Sequence, residues 1–443
     1  MNAQGAKTST TGDSGSSWQH SEIIRQSIIS HIDKIYSLLL IIGIFDNIDF
    51  KLSLVNGIDN MVDTHRAGRY VEQLTGYKAF IPNPLPPAPK LCIDDEMLEL
   101  LSQADRALGR LDGSTDALPN PDLFVFMYVR KEAVLSSQIE GTQASLIDVL
   151  EFESRAIEPD NPQDVTEVVN YIAAINHGLK RLKEFPLSLR LIREIHKELL
   201  REGRGSEKGP GEFRRSQNWI GAGRCSLKEA TYVPPPPHEM QEALTNFEQF
   251  LHDPTPMPAL IKIGLAHAQF ETIHPFEDGN GRTGRLLITF LLCEKNILKR
   301  PLLYISYYFK KYRLQYYDHL QSIRDNGDWE SWIKFFLKGV YEVAQEASTV
   351  ARQIVNLKEE HRKIVMEEMG NRKAGNAIAL LEALYFQPIF NIEFAQGITQ
   401  LSYTNANTLV KELCTIGLVK EISGYKRNRT FAYSPYLSIF KDN

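Results

Sequence analysis

The stretch that most limits how this chain can fold is residues 274–285, His-Pro-Phe-Glu-Asp-Gly-Asn-Gly-Arg-Thr-Gly-Arg. Apolar residues at mixed three- and four-residue spacing over 259–273 and 283–298 predict a buried helix on each side of it. The connection must therefore turn tightly inside the molecule, and it carries reactive groups while doing so. His274 offers a general base and Asp278 a carboxylate able to hold a divalent cation. Gly279, Asn280 and Gly281 are small or amide residues, and the glycines let backbone N–H groups approach an anion. Arg282 and Arg285 fall on the first turn of the second helix, where guanidinium forks and unpaired helix donors suit polyphosphate. A plain turn with a structural histidine would account for the glycines. It leaves the two arginines, the His-Pro step and the intervening Asp unexplained. Base, metal carboxylate and phosphate cradle in one loop point to nucleotide chemistry.

The string resembles the signature of the Fic family, HxFx(D/E)GNGRxxR, and matches it at every specified position. The resemblance implies a mainly helical fold that transfers a nucleotide monophosphate, usually AMP from ATP, to a hydroxyl of a target protein. It implies that His274 deprotonates that hydroxyl and that Phe276 anchors the loop in the core. Asp278 would hold Mg²⁺, Gly279, Asn280 and Gly281 would form an anion hole, and Arg282 and Arg285 would bind the outer phosphates.

Upstream, Ser136-Ser137-Gln138-Ile139-Glu140-Gly141 resembles the (S/T)xxxE(G/N) inhibitory helix of autoinhibited family members. There Glu140 would pair with Arg285 in the γ-phosphate's place, and Ser136 would steady the helix against the motif loop. Taken alone, a Ser and a Glu four apart are common on exposed helices. A third segment, Thr231-Tyr232-Val233 followed by four prolines, is similar to the flap on which family members dock a target strand. By residue type, 218–220 and 231–233 are β-prone around a Gly-rich turn at 221–223, as in a hairpin, although the prolines alone could be a stiff connection. Phe213 and Arg214, just before it, read as structural.

With 443 residues the chain is long enough for two or three domains, and 43% hydrophobic with 24% charged residues is ordinary for a globular protein. A net charge of −5 argues against bulk attraction to nucleic acid or membrane. Cys92, Cys225, Cys293 and Cys414 are scattered, so neither a zinc site nor a disulfide framework is indicated. The apolar run 35–45 is too short to span a bilayer, and a cytoplasmic protein is expected. Residues 1–17 are low in complexity, and nothing in 21–50 is similar to the family, whereas residues from Met61 onward look like a family N-terminus. We therefore expect translation to begin at or near Met61.

Further helices are expected at 97–111, 123–140, 146–155, 165–185, 188–201, 240–251, 328–347 and 350–368. His196 and His267 lie on apolar helix faces and read as packed core residues. Beyond about residue 372, helices at 374–385, 391–397 and 402–416 lead to strands at 419–422 and 430–433, a winged helix-turn-helix pattern. It would present Tyr403, Asn405 and Asn407, with Lys426, Arg427 and Arg429 on the wing for DNA phosphates; a protein-interaction role is the alternative. Over 401–443, Lys411, Lys420, Lys426, Arg427, Arg429 and Lys441 outnumber Glu412, Glu421 and Asp442, so any DNA contact would be local.

The expected organisation is thus an extension (1–60), a helical region with the inhibitory segment (61–160), a catalytic core (161–345), a helical linker (346–372) and a winged-helix domain (373–443). The favoured function is an autoinhibited protein adenylyltransferase using ATP and Mg²⁺ on a Ser, Thr or Tyr hydroxyl, its own included. Two others stay open: a DNA-binding regulator that senses nucleotide, and a de-AMPylating or other phosphotransfer enzyme. The resemblance also allows a homodimer.

Overall fold

The computed structural model describes residues 66–116, 121–154, 161–221, 225–424 and 429–440. Met61 and the apolar run 35–45 lie outside them. Strands β1 (Gly68–Glu72) and β2 (Lys78–Pro82) form an antiparallel hairpin, Gly68 facing Pro82 and Glu72 facing Lys78. Gly76, at φ 78°, supplies the left-handed backbone its turn needs.

Helices then dominate: α1 (Asp95–Asp116), α2 (Asp122–Ile139), α3 (Leu146–Glu153), α4 (Pro162–Arg181), α5 (Leu189–Leu199), α6 (Pro237–His252), α7 (Ala259–Ile273) and α8 (Asn280–Glu294). After them come α9 (Ser306–Lys311), α10 (Arg313–Asn326) and α11 (Trp329–Glu368). Local chemistry sets several starts. Ser145 and Asp148 form a capping box on α3, Ser188 caps α5, and Asn161 with Pro162 at the first position opens α4.

Helix α7 is buried on almost every side and packs against α6, α8, α10 and α11; α2 packs against α4 and α9, and α1 runs along α11. The loop 274–279 is thereby held between two core helices. The two helices expected at 328–347 and 350–368 are one continuous helix. Ala347, Val350 and Ala351 stay buried, so the apolar stripe never breaks and nothing stops the helix at residue 345.

The C-terminal part contains α12 (Asn371–Leu384), β3 (Ile389–Asn391), α13 (Ile392–Thr399), α14 (Tyr403–Thr415), β4 (Lys420–Glu421), β5 (Thr430–Ala432) and α15 (Ser434–Ser438). The strands form an antiparallel sheet in the order β3-β5-β4. Lys426 and Arg427 lie outside the described residues. Arg429 is paired with Glu421 at 3.3 Å and bonded to the Asn407 side chain, so these two candidate DNA contacts face each other. Among the described residues no helix is long and apolar enough to cross a membrane.

Candidate active site

Helix α7 ends at His274, which takes a left-handed conformation (φ 49°, ψ 59°), unusual for a side chain with a Cβ. Neighbouring groups hold it there. Buried Arg214 donates to the His274 carbonyl at 2.9 Å, and its own backbone N–H reaches the Pro275 carbonyl. Asn218 donates to the Phe276 carbonyl at 2.8 Å. Asn280 closes the loop from inside, its amide accepting from Phe276 N–H and donating to Phe276 C=O, both at 2.8 Å. The Asn280 side chain is thus committed to shaping the loop, which leaves its backbone N–H for the anion hole expected at 279–281.

Phe276 is fully buried against His196 and Phe213. The Nδ1 of His196 accepts from Gly211 N–H, so Nε2 carries the proton and donates to the Asp278 carbonyl at 2.9 Å. His196 is a core residue, as expected, and it also fixes the loop's far end.

Helix α8 begins at Asn280, three residues before the expected start, because Gly279 takes the left-handed N-cap position (φ 75°). No side chain caps this end, which leaves first-turn N–H groups at Asn280 and Gly281 free to meet an anion. Asp278 stands beside it, half-buried, with Oδ1 accepting from Gly279 N–H at 2.6 Å. Among the described residues no cluster of three acids, histidines or cysteines could cage a metal. One accessible carboxylate beside an uncapped helix start suits Mg²⁺ nonetheless, since that ion takes most of its ligands from phosphate and water.

The two arginines have different surroundings. Arg282, buried, pairs with Glu167 of α4 at 3.2 Å and lies 3.8 Å from Asp278. Arg285, only 1% exposed, donates from Nη2 to Glu140 at 2.6 Å and to the Ser136 carbonyl at 3.0 Å. Its Nε donates to Ser136 Oγ at 2.8 Å. The three residues that sequence reasoning grouped are therefore in contact. Burial works to raise the Glu140 pKa, but Arg285 and then Arg282 outweigh it and hold the carboxyl below its usual value.

A cleft of about 520 Å³ opens onto these groups, lined by Glu140, Glu271, His274, Gly281, Arg285 and residues of α10. Burial first, then the cations Arg324 and Arg214, lower His274 to about 4, so at neutral pH its imidazole is a free base. Tyr316, Tyr317 and Arg324 are the α10 residues nearest this chemistry in its lining. None of these α10 residues was anticipated, nor were Glu167 and Glu271.

The flap segment differs from its expected form. Among the described residues its hairpin is a single bridge, Ile220 with Tyr232. Of the turn expected at 221–223, residues 222 and 223 lie outside the described residues. Tyr232 is buried, donates to the Thr272 carbonyl at 2.6 Å and carries Arg324 over its ring at 3.7 Å. Val233 is buried and its carbonyl accepts from Phe80 of β2. Of the three residues expected to dock a target, only Thr231 is exposed. The unpredicted β1–β2 hairpin takes the Val233 carbonyl, and Ile220 takes the Tyr232 backbone.

Residues 98–180 match the model for the Fic/DOC family N-terminal region and residues 186–292 that for the Fic/DOC family. Over these two segments the chain is similar to the Fic/DOC family. Among curated relatives, protein adenylyltransferase Fic of Aedes aegypti is 31% identical over 255 residues, covering 55% of this chain and 46% of that protein. Its Drosophila melanogaster namesake is 28% identical over 254 residues, with the same coverage. The chain thus spans about half the length of the curated relatives it matches. A crystal structure of a Fic family protein from Desulfovibrio desulfuricans superposes with a TM-score of 0.51 at 18% identity, covering 77% of this chain and 97% of that one, and shares the fold.

Proposed function

We propose that this protein is an autoinhibited protein adenylyltransferase, moving AMP from ATP to a Ser, Thr or Tyr hydroxyl on another protein or on itself. The observation that carries this reading is one cleft in which an unprotonated His274 faces the open start of α8 and Arg285. A triphosphate laid on the first-turn N–H groups of α8 would meet Arg285 at its outer end. Asp278 would hold Mg²⁺, which supplies neutralisation of phosphate charge when bound.

His274 takes the proton of the acceptor hydroxyl as its oxygen bonds to the α-phosphorus. The bond to the bridging oxygen breaks and pyrophosphate leaves with that electron pair. Glu140 holds Arg285 until it is displaced, and the triphosphate cannot seat meanwhile. Arg282, already charge-paired with Glu167, serves more as a fixed wall than as a free phosphate ligand. Four free thiols suit a reducing compartment, and we place the protein in the cytoplasm.

The test is incubation of wild type, Glu140→Gly and Glu140→Gly/His274→Ala with Mg²⁺ and ATP labelled at either the α or the γ position. Transfer of α label alone in Glu140→Gly, absent from the double variant, supports the reading. No label on any protein, lysate acceptors included, sinks it.

A second reading, DNA contact, is favoured by exposed Tyr403 and Asn405 at the start of α14. We assign the elements beyond residue 373 to a winged helix on the order of α12–α14 and their sheet. Selection of a sequence from random duplexes would support it, and purely non-specific, salt-sensitive retention would count against it.

A further inference from the structure

Glu271 belongs to the cleft but has no part in the mechanism above. It sits on the last turn of α7, three residues before His274, and is buried against α8. Glycine at 284 makes this possible. A Cβ there would lie 2.3 Å from Glu271 Oε1 and 3.2 Å from its carboxyl carbon, so any other residue would force the carboxyl to move. The same Oε1 is buried with no hydrogen-bond partner among the described residues, and the side chain lines the cleft beside Arg285. An unpartnered buried oxygen is costly, so it calls for a ligand or a proton.

The groups facing Glu271 come from each packed element. Helix α2 contributes Glu140, α8 contributes Arg285, α10 contributes Arg324 and Tyr316, and α7 itself contributes His274, which lines the same cleft. Two carboxyls thus face two guanidiniums while Glu140 is in place. A triphosphate that displaces Glu140 brings several negative charges, and an ionised Glu271 would then stand against phosphate oxygens in a poorly solvated site. A protonated carboxyl has an O–H to donate to them instead.

We infer that Glu271 is a phosphate-binding residue that takes up a proton as nucleotide binds and donates it in a hydrogen bond to an outer phosphate oxygen. This rests on the reading of the cleft as a nucleotide site. Burial, opposed by Arg285 and Arg324 and aided by Glu140, already pushes the carboxyl up to about 7, so the proton is within easy reach.

The test uses the full chain carrying Glu140→Gly and His274→Ala, which removes turnover and two other titrating groups. Binding of ATP with Mg²⁺ is measured calorimetrically near pH 8 in buffers of different ionisation enthalpy, which counts protons. Glu271 intact should show uptake approaching one proton. With Glu271→Gln added, uptake should vanish while affinity stays within about threefold, because the amide is still a donor. Glu271→Ala should weaken binding by about tenfold, the worth of one hydrogen bond. ATP binding with the same proton count for Glu and Gln overturns this inference alone, as does a Gln variant that loses as much affinity as Ala. Failure of ATP to bind any of the folded proteins, checked by thermal melting, overturns the nucleotide site itself.

Discussion

His196 lies flat on Phe276, the ring centroids 3.6 Å apart and the planes within 3°. The same imidazole bonds the Asp278 carbonyl, so one side chain fixes two points of the motif loop. In the Glu140→Gly background, His196→Ala should lower the kcat of transfer by roughly ten- to a hundredfold and change KM for ATP much less, since orientation is what is lost. It should also cost about 2–4 kcal/mol of stability, as large-to-small core changes do. An unchanged kcat in a destabilised protein would refute the positioning role.

Acid should destabilise the fold over a defined window. Burial lowers His196 to about 4 and His267 to about 3, from an unfolded value of 6.5. Depressed folded values mean that stability is complete above 6.5 and is lost as pH falls toward 4, because only the unfolded chain binds the protons. Each histidine accounts for on the order of 3 kcal/mol at the bottom of the window. Chemical denaturation at stepped pH would measure this, and a His196→Gln protein should show a shallower decline. An identical slope would exclude His196 as a source.

Gly284→Ala should destabilise the protein by about 1–3 kcal/mol, since the new methyl collides with the Glu271 carboxyl. Adding Glu271→Ala should recover part of that loss, as expected for residues in contact. Strict additivity in a double-mutant cycle would show that the clash lies elsewhere.

Ser136→Ala removes the acceptor for Arg285 Nε. Basal transfer should rise by a few-fold, less than with Glu140→Gly, because one hydrogen bond holding Arg285 toward Glu140 is lost. The two changes should not add, since both act through the same guanidinium. Labelled α-phosphate transfer to a lysate would measure this, and reduced activity in Ser136→Ala would mean that Ser136 serves the active conformation instead.

What could be read from the sequence was local in sequence or strongly patterned. The loop 274–285 lies between two helices whose apolar spacing is plain, and Glu140 and Arg285 carry opposite charges at recognisable motif positions. Helices α9 and α10 were not anticipated because their buried surface is largely aromatic and polar. Tyr316 faces His267 through a hydrogen bond, and Arg324 lies over Tyr232, so apolar spacing is weak there. The partner of Arg282 was hidden for another reason: Glu167 precedes it by 115 residues and meets it only through the packing of α4. The β1–β2 hairpin is two five-residue strands, of which β1 exposes residues on both sides and β2 buries both Ala79 and Phe80, too short and irregular to signal a period. Asn280 bonds backbone four residues behind it, which residue type and spacing do not disclose.

Glu140 is the C-cap of α2 and is followed by Gly141 at φ 101°, with open space around its Cα. The rest of that helix is fastened into the core, with Tyr128 bonded to the Ala347 carbonyl and Ser136 and Ile139 fully buried. The latch proposed above would open at its tip while its arm stays still. It would let go and re-engage on the nanosecond-to-microsecond scale of a side chain and one loop residue, with no rearrangement of the helices around it. Solution scattering would therefore find latched and unlatched protein alike, while amide exchange at residues 140–143 would tell them apart.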